Sequence, residues 1–229
     1  MSTAFPTSVK AVLFDLDGTL LDTAADFADV VSQMTEQAGL PAIPFSAIHQ
    51  TVSNGARALV ELAFAIQSGH PDFETRLNSL LALYSERILA TKATLYPGMD
   101  ALLQQLEQAG VPWGIVTNKP ERFSRPLLES LRLSTRCSTL ICPDHVTLSK
   151  PHPEPLLLAC KQLEINPRDA IYVGDHPRDI DAGRAAGMFT IAVRYGYLPE
   201  SPPVEQWQAD LIVDSVELIS AQLANNSRT

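Results

Sequence analysis

Short apolar runs that break off in polar clusters alternate with helical patterns along most of this chain, and that alternation leaves few folds open. Val9 to Phe14, Pro112 to Val116, Thr139 to Cys142, Ala170 to Val173, Thr190 to Val193 and Leu211 to Val213 are long enough for buried strands and too short for helices. Helical patterns over Gly98 to Ala109, Glu121 to Leu131, Pro153 to Leu163, Arg178 to Ala186 and Ser215 to Leu223 follow them in turn. Gly110 and Gly187 sit where helices should stop, and Pro153 where one should begin. Strands and helices alternating over short connections bury their apolar faces in a parallel sheet covered on both sides. The expected class is therefore α/β, with a Rossmann-like, doubly wound sheet.

One segment departs from this pattern. After the first strand, three helical patterns follow one another: Thr23 to Ala38 with Phe27, Val30, Val31 and Met34; Ser46 to Ile66 with Ile48, Val52, Leu59, Val60 and Ala63; and Phe73 to Leu89 with Leu77, Leu80, Leu81, Tyr84 and Ile88. A strand-to-strand crossover needs only one helix, so the excess reads as an inserted all-helical cap over the strand ends. The expected division is residues 22–92 for the cap, and 1–21 with 93–229 for the core. Pro199 to Pro203 reads as a surface loop and Asn225 to Thr229 as a frayed tail.

Composition narrows the partners. Lys+Arg 17 against Asp+Glu 26 gives a net charge of −9, which argues against a nucleic acid or an anionic membrane as the main partner. A phosphate ligand would then need a local positive site. Cys137, Cys142 and Cys160 are odd in number and include no Cys-x-x-Cys pair, so neither a disulfide framework nor a thiolate zinc site is expected. The first residues carry no signal-peptide pattern, and no run approaches the roughly 18 apolar residues of a membrane helix. A cytoplasmic protein, monomeric or weakly homodimeric, is the expectation.

The polar clusters at the strand ends carry the chemistry. The run Val12-Leu13-Phe14 ends in Asp15-Leu16-Asp17-Gly18-Thr19, and open parallel sheets bind ligands outside the carboxyl ends of their strands. Two aspartates so placed can divide labour, one attacking phosphorus and the other donating a proton to the leaving oxygen; the alternative is an acidic turn. Thr117 and Asn118 end the next run, where a hydroxyl and an adjacent N–H can hold phosphoryl oxygens, though such turns are also common without a ligand. Lys150 lies among prolines in Ser149-Lys150-Pro151-His152-Pro153, a setting that confines a compact cation; its alternative is an exposed loop lysine. Asp175 and Asp179 follow an Ile-Tyr-Val strand and suit a hard, oxygen-seeking cation, Asp175 as ligand and Asp179 as the residue that orients it. Asp181 reads as a helix-start acid.

Taken in order, Asp15-x-Asp17-Gly18-Thr19, Thr117-Asn118, Lys150-Pro151 and Gly174-Asp175-x-x-x-Asp179 resemble the four signatures of the haloacid dehalogenase superfamily, and the match spans nearly the whole chain. The resemblance implies a phosphatase that passes through an aspartyl-phosphate on Asp15, with Asp17 as acid and then base. It further implies Mg²⁺ held by the Asp15 carboxylate, the Asp17 main-chain carbonyl and Asp175, with Thr117, Asn118 and Lys150 around the phosphoryl group. Within the superfamily the chain looks like the phosphoglycolate phosphatase group, which carries a helical cap at this place. Ser53-Asn54-Gly55-Ala56-Arg57, Thr117-Asn118-Lys119-Pro120, Cys142-Pro143-Asp144-His145-Val146 and Arg194-Tyr195-Gly196-Tyr197 resemble, more narrowly, the branch that dephosphorylates N-acetylmuramic acid 6-phosphate in cell-wall recycling.

The substrate implied is thus a small carboxylated phosphate ester, with specificity lodged in the cap. Asn54, Gly55 and Arg57 are the candidate contacts, Gly55 by close backbone approach and Arg57 by taking a carboxylate bidentately; a solvated helix arginine is the alternative. Other readings are a 2-phosphoglycolate phosphatase, a sugar phosphomutase and an inactive phosphate-binding module. A dehalogenase would not need Asp17, and a phosphonate hydrolase of this superfamily would lack it.

Overall fold

Strand β1 (Ala11–Phe14) is buried at every residue and lies near the middle of the sheet. The computed structural model describes residues 5–226, so the opening residues 1–4, and with them the start of the stretch tested for a signal peptide, lie outside the described residues. The other sheet strands are β4 (Trp113–Val116), β5 (Thr139–Ile141), β6 (Ala170–Gly174), β7 (Phe189–Val193) and β8 (Leu211–Val213). Their order is β5-β4-β1-β6-β7-β8 and every pair is parallel. That is the doubly wound order: the chain builds outward from β1 in one direction, then returns to β1 and builds the other way, leaving a crevice where the order reverses.

Alternation along the strands serves two cores. Val12 and Phe14 pack with α5 (Met99–Gln108) and α9 (Val216–Asn226), while Leu13 and Tyr172 pack on the other face with α7 (Glu154–Gln162) and α8 (Pro177–Ala186). Helix α6 (Glu121–Ser130) follows β4 and adds Phe123 and Leu127 to the first core. Helix α9 runs through Asn226, past the point where the tail was expected to fray, and 227–229 lie outside the described residues. Within Pro199 to Pro203 there is no helix or strand, and a short 3₁₀ turn follows at Val204–Gln206.

The chain leaves the sheet through β2 (Leu21–Asp22) and re-enters through β3 (Thr94–Leu95), which pair antiparallel as a two-stranded ribbon. Between them stand α1 (Ala24–Gln37), α2 (Phe45–Thr51), α3 (Gly55–Phe64) and α4 (Phe73–Arg87). Phe27, Val30 and Val31 of α1 bury against Leu59 and Val60 of α3 and Leu80 and Tyr84 of α4. The spacing predicts one helix over Ser46 to Ile66, but two are found, separated by a 3₁₀ turn at Val52–Asn54. Gly55 explains the break: its φ of +83° is a left-handed conformation that ends one helix and redirects the chain before the next. No helix among the described residues is long and apolar enough to cross a membrane.

Candidate active site

The ladder carries β1 one residue past its last paired side chain, since the Asp15 N–H donates to the Val173 carbonyl at 2.9 Å. Asp15 is therefore fixed by the sheet itself, 5% exposed at the crevice. The turn beyond it needs glycine for two reasons. Gly18 has φ +84°, and a Cβ there would lie 2.0 Å from Asp175 Oδ2, so the backbone approaches that carboxylate as no other residue could.

Lys150 reaches in from the loop after β5 and is fully buried. Its Nζ lies 2.8 Å from Asp15 Oδ1, 2.7 Å from Asp179 Oδ1, 2.7 Å from the Tyr172 hydroxyl and 2.9 Å from the Val116 carbonyl. Burial works against its charge, but Asp15 and Asp179 outweigh it, and the ammonium titrates above the ordinary lysine value. Asn118 donates from Nδ2 to the Lys150 carbonyl at 2.9 Å, which fixes the loop that delivers the lysine. Asp15 keeps Oδ2 free of hydrogen bonds among the described residues.

Asp17 is held differently. Its Oδ1 accepts from Thr23 Oγ1 at 2.6 Å and from Lys119 Nζ at 2.8 Å, and Oδ2 is left open. Lys119 stood in a quoted motif but was given no role: its side chain is 7% exposed, and its ammonium lies 4.7 Å from the Tyr84 ring centre and 5.1 Å from that of Phe27. Only its position directly after Thr117-Asn118 at a strand end could have flagged it.

Asp175 directly follows β6 and is fully buried, accepting from the Tyr197 N–H at 2.7 Å and from Thr19 Oγ1 at 3.3 Å. Asp179 stands at the third residue of α8, where its Oδ2 accepts from the His176 N–H at 3.1 Å and closes a capping box. Burial pushes both carboxylates above the ordinary value; Asp15 and Asp179 add to this at Asp175, whereas Lys150 opposes it at Asp179. Asp181, by contrast, is exposed on the helix. Asp15, Asp175 and Asp179 each offer an oxygen within 4.8 Å of the others. Three buried carboxylates around one ammonium leave excess negative charge, and a donor set made wholly of carboxylate oxygens suits a hard divalent cation.

A cavity of about 550 Å³ opens above these groups. Asp15, Asp17 and Thr117 line its floor, and Phe27, Tyr84 and Phe123 its aromatic wall, with the first two rings stacked at 4.2 Å and 5°. Asn54, Gly55 and Arg57 line it too, but Arg57 is already engaged: its guanidinium lies 3.0 Å from Glu74, 55% exposed, and 5.4 Å from the centre of the Phe73 ring. Gly55 owes its place to its φ, since a Cβ there would meet nothing within 4 Å.

Residues 12–193 match the haloacid dehalogenase-like hydrolase family. The chain belongs to that family. Within it, the chain is 49% identical over 207 residues to the N-acetylmuramic acid 6-phosphate phosphatase of Pseudomonas aeruginosa, covering 90% of this chain and 91% of that one. It is 44% identical over 209 residues to a phosphoglycolate phosphatase of Xanthomonas campestris pv. campestris, covering 90% and 92%. Among solved structures, a predicted phosphoglycolate phosphatase from Haemophilus somnus superposes with a TM-score of 0.80 at 26% identity, over 93% of this chain and 98% of that one. In this haloacid dehalogenase-like chain all four motifs converge on one crevice, although they lie up to about 160 residues apart in sequence.

Proposed function

We propose that the chain is a Mg²⁺-dependent phosphomonoesterase working through a phosphorylated Asp15, and that its substrate is N-acetylmuramic acid 6-phosphate, which would place it in peptidoglycan recycling. The observation that carries the chemistry is the unequal holding of two aspartates two residues apart. Asp15 has one oxygen on the Lys150 ammonium and the other free; Asp17 has one oxygen anchored twice and the other free. Each thus keeps one oxygen for chemistry at the same cavity, beside different cations.

In this scheme Asp15 Oδ2 attacks phosphorus, and the bond to the ester oxygen breaks as Asp17 Oδ2 gives that oxygen a proton. The products are the free alcohol and an acyl phosphate on Asp15. Asp17, now a carboxylate, takes a proton from a water that attacks the same phosphorus, releasing phosphate and restoring both acids. Lys150 holds Asp15 in place and supplies positive charge behind it, while Thr117 and Asn118 line the cavity that would take the phosphoryl oxygens. Asp15, the Asp17 carbonyl and Asp175 would hold Mg²⁺, with Asp179 orienting them, and the ion would offset the repulsion between carboxylate and phosphate. Residues 22–92 would act as a cap over a core of 1–21 and 93–229, excluding water from the acyl phosphate.

The muramic substrate is supported by the relative at 49% identity and by the cavity. About 550 Å³ with an aromatic wall lies within the roughly 300–1,000 Å³ typical of small-molecule sites and suits a sugar ring, whereas a two-carbon acid would leave most of it unfilled. The relative at 44% identity favours 2-phosphoglycolate as a second reading. Phosphate release from both esters, from glucose 6-phosphate and from a nucleoside monophosphate, with Mg²⁺ and with a chelator, tests the choice. A preference of about a hundredfold in kcat/KM for the muramic ester, roughly 2.7 kcal/mol, is expected. Preference for phosphoglycolate would overturn the substrate, retention of the phosphoryl group on a sugar bisphosphate without release of phosphate would make the protein a mutase, and no turnover would leave a binding module.

A further inference from the structure

A muramic ester differs from other hexosamine phosphates by the carboxylate of its lactyl ether, and three arginines line the cavity that would receive it. Arg57 is committed to Glu74 and Phe73. Arg122 is exposed, with its guanidinium against the Phe123 ring at 4.6 Å. Arg178 differs from both. It is the second residue of α8, below the cavity, yet its Nη2 donates at 2.6 Å to the carbonyl of Ser53, in the turn before α3. One guanidinium thus spans the seam between the sheet and the inserted helices.

That seam holds unused polar atoms. Arg178 Nε is buried without a partner, and so is Ser53 Oγ, while Arg178 Nη1 makes no hydrogen bond among the described residues. Two residues already bonded to each other therefore both carry unmet hydrogen-bonding groups, and both line the cavity. A buried donor left unmade costs roughly 1–3 kcal/mol, which a ligand oxygen would recover. The first N–H groups of α3, which begins two residues after Ser53 and has no side-chain cap, add positive potential at the same place.

We propose that Arg178, assisted by Ser53, forms the subsite for the substrate's carboxylate, in place of Arg57. The proposal rests on the muramic reading above. A guanidinium fork matches a carboxylate, and the phosphoryl group has its own cations at Lys150 and the metal site. The competing role for Arg178 is charge balance, because its cation also lies close enough to favour the ionised forms of Asp175 and Asp179. Charge balance would serve every phosphate ester alike.

The test is kcat/KM of the full chain and of R178M, R178K and S53A on N-acetylmuramic acid 6-phosphate and on N-acetylglucosamine 6-phosphate, which lacks only the lactyl ether. R178M should lose about 100-fold on the muramic ester, chiefly through KM, and about 30-fold more than it loses on the other ester. S53A should show a smaller loss of the same selectivity. R178K keeps the stem and the charge, so it carries the test if R178M does not fold, and a selective rise in KM is expected there too. Equal losses on both esters, or an unchanged preference, would overturn the subsite and leave the substrate reading standing. A wild-type enzyme with no preference for the muramic ester would overturn the substrate reading, and the subsite with it.

Discussion

Lys150→Met tests how far a single buried ammonium holds the acidic crevice together. The Nζ atom is fully buried and lies 2.8 Å from Asp15 and 2.7 Å from Asp179, with the third carboxylate, Asp175, close by. Methionine nearly fills the same volume, so little of the loss should come from packing. What remains is electrostatic: removing one partner of a buried pair typically costs about 3–5 kcal/mol, because the other charge stays behind. Against a typical total of about 5–15 kcal/mol this is a large fraction, and for a chain of this size it corresponds to a fall in Tm of roughly 6–20 °C.

The same variant has a pH signature. Lys150 titrates above the ordinary lysine value in the folded protein, so its stabilisation is complete below about pH 10 and contributes no slope near neutrality. Asp175 and Asp179 have raised values, so the folded state binds their protons more tightly than the unfolded chain does. Their contribution therefore improves as pH falls from the folded values toward about 4. Without Lys150, Asp179 loses its counter-charge and should be raised further, and the variant's deficit should shrink as pH falls from 8 to 5. Urea unfolding of both proteins across that range, with chelator present, measures it. A loss below about 1 kcal/mol, with the same pH slope as wild type, would refute the view that this lysine neutralises the cluster.

Asp15→Asn should abolish phosphate release while circular dichroism stays unchanged; near-normal turnover would rule out Asp15 as nucleophile. Mg²⁺ added to chelator-treated protein at about 100 times its Kd should stabilise it by roughly 2.7 kcal/mol, read as a rise in Tm of about 5–11 °C, and Asp175→Asn should remove most of that rise. Lys119→Met should lower kcat/KM, which covers the steps up to release of the alcohol, by about 10–100-fold on alkyl phosphates but much less on p-nitrophenyl phosphate, whose leaving group needs no proton; equal losses would show that Lys119 does not act through Asp17 as acid.

The parts legible in the chain were those fixed by short-range physics. A strand that ends in Asp15 must expose that carboxylate at the sheet's edge, and the alternation of strand and helix brings the ends of β1, β4 and β6 to the same edge whatever the side chains do. The acids at 15, 17, 175 and 179 could thus be placed from position and residue type, whereas Lys150, in a loop after β5, was singled out by the resemblance to the four signatures. What stayed hidden are tertiary pairings, within the sheet's loops, within the inserted helices and between the two. Lys119 bonds Asp17 across 102 positions, Arg178 reaches Ser53 across 125, and Arg57, at the cavity lining, pairs with Glu74, all through contacts that no periodicity encodes. Sequence could place Arg57 on the right surface but could not show that an acid 17 residues away had already taken it. The chemistry of the phosphoryl group is accordingly written in local motifs. On the proposal above, the choice of substrate would depend on the seam between the inserted helices and the sheet, which exists only once both are folded.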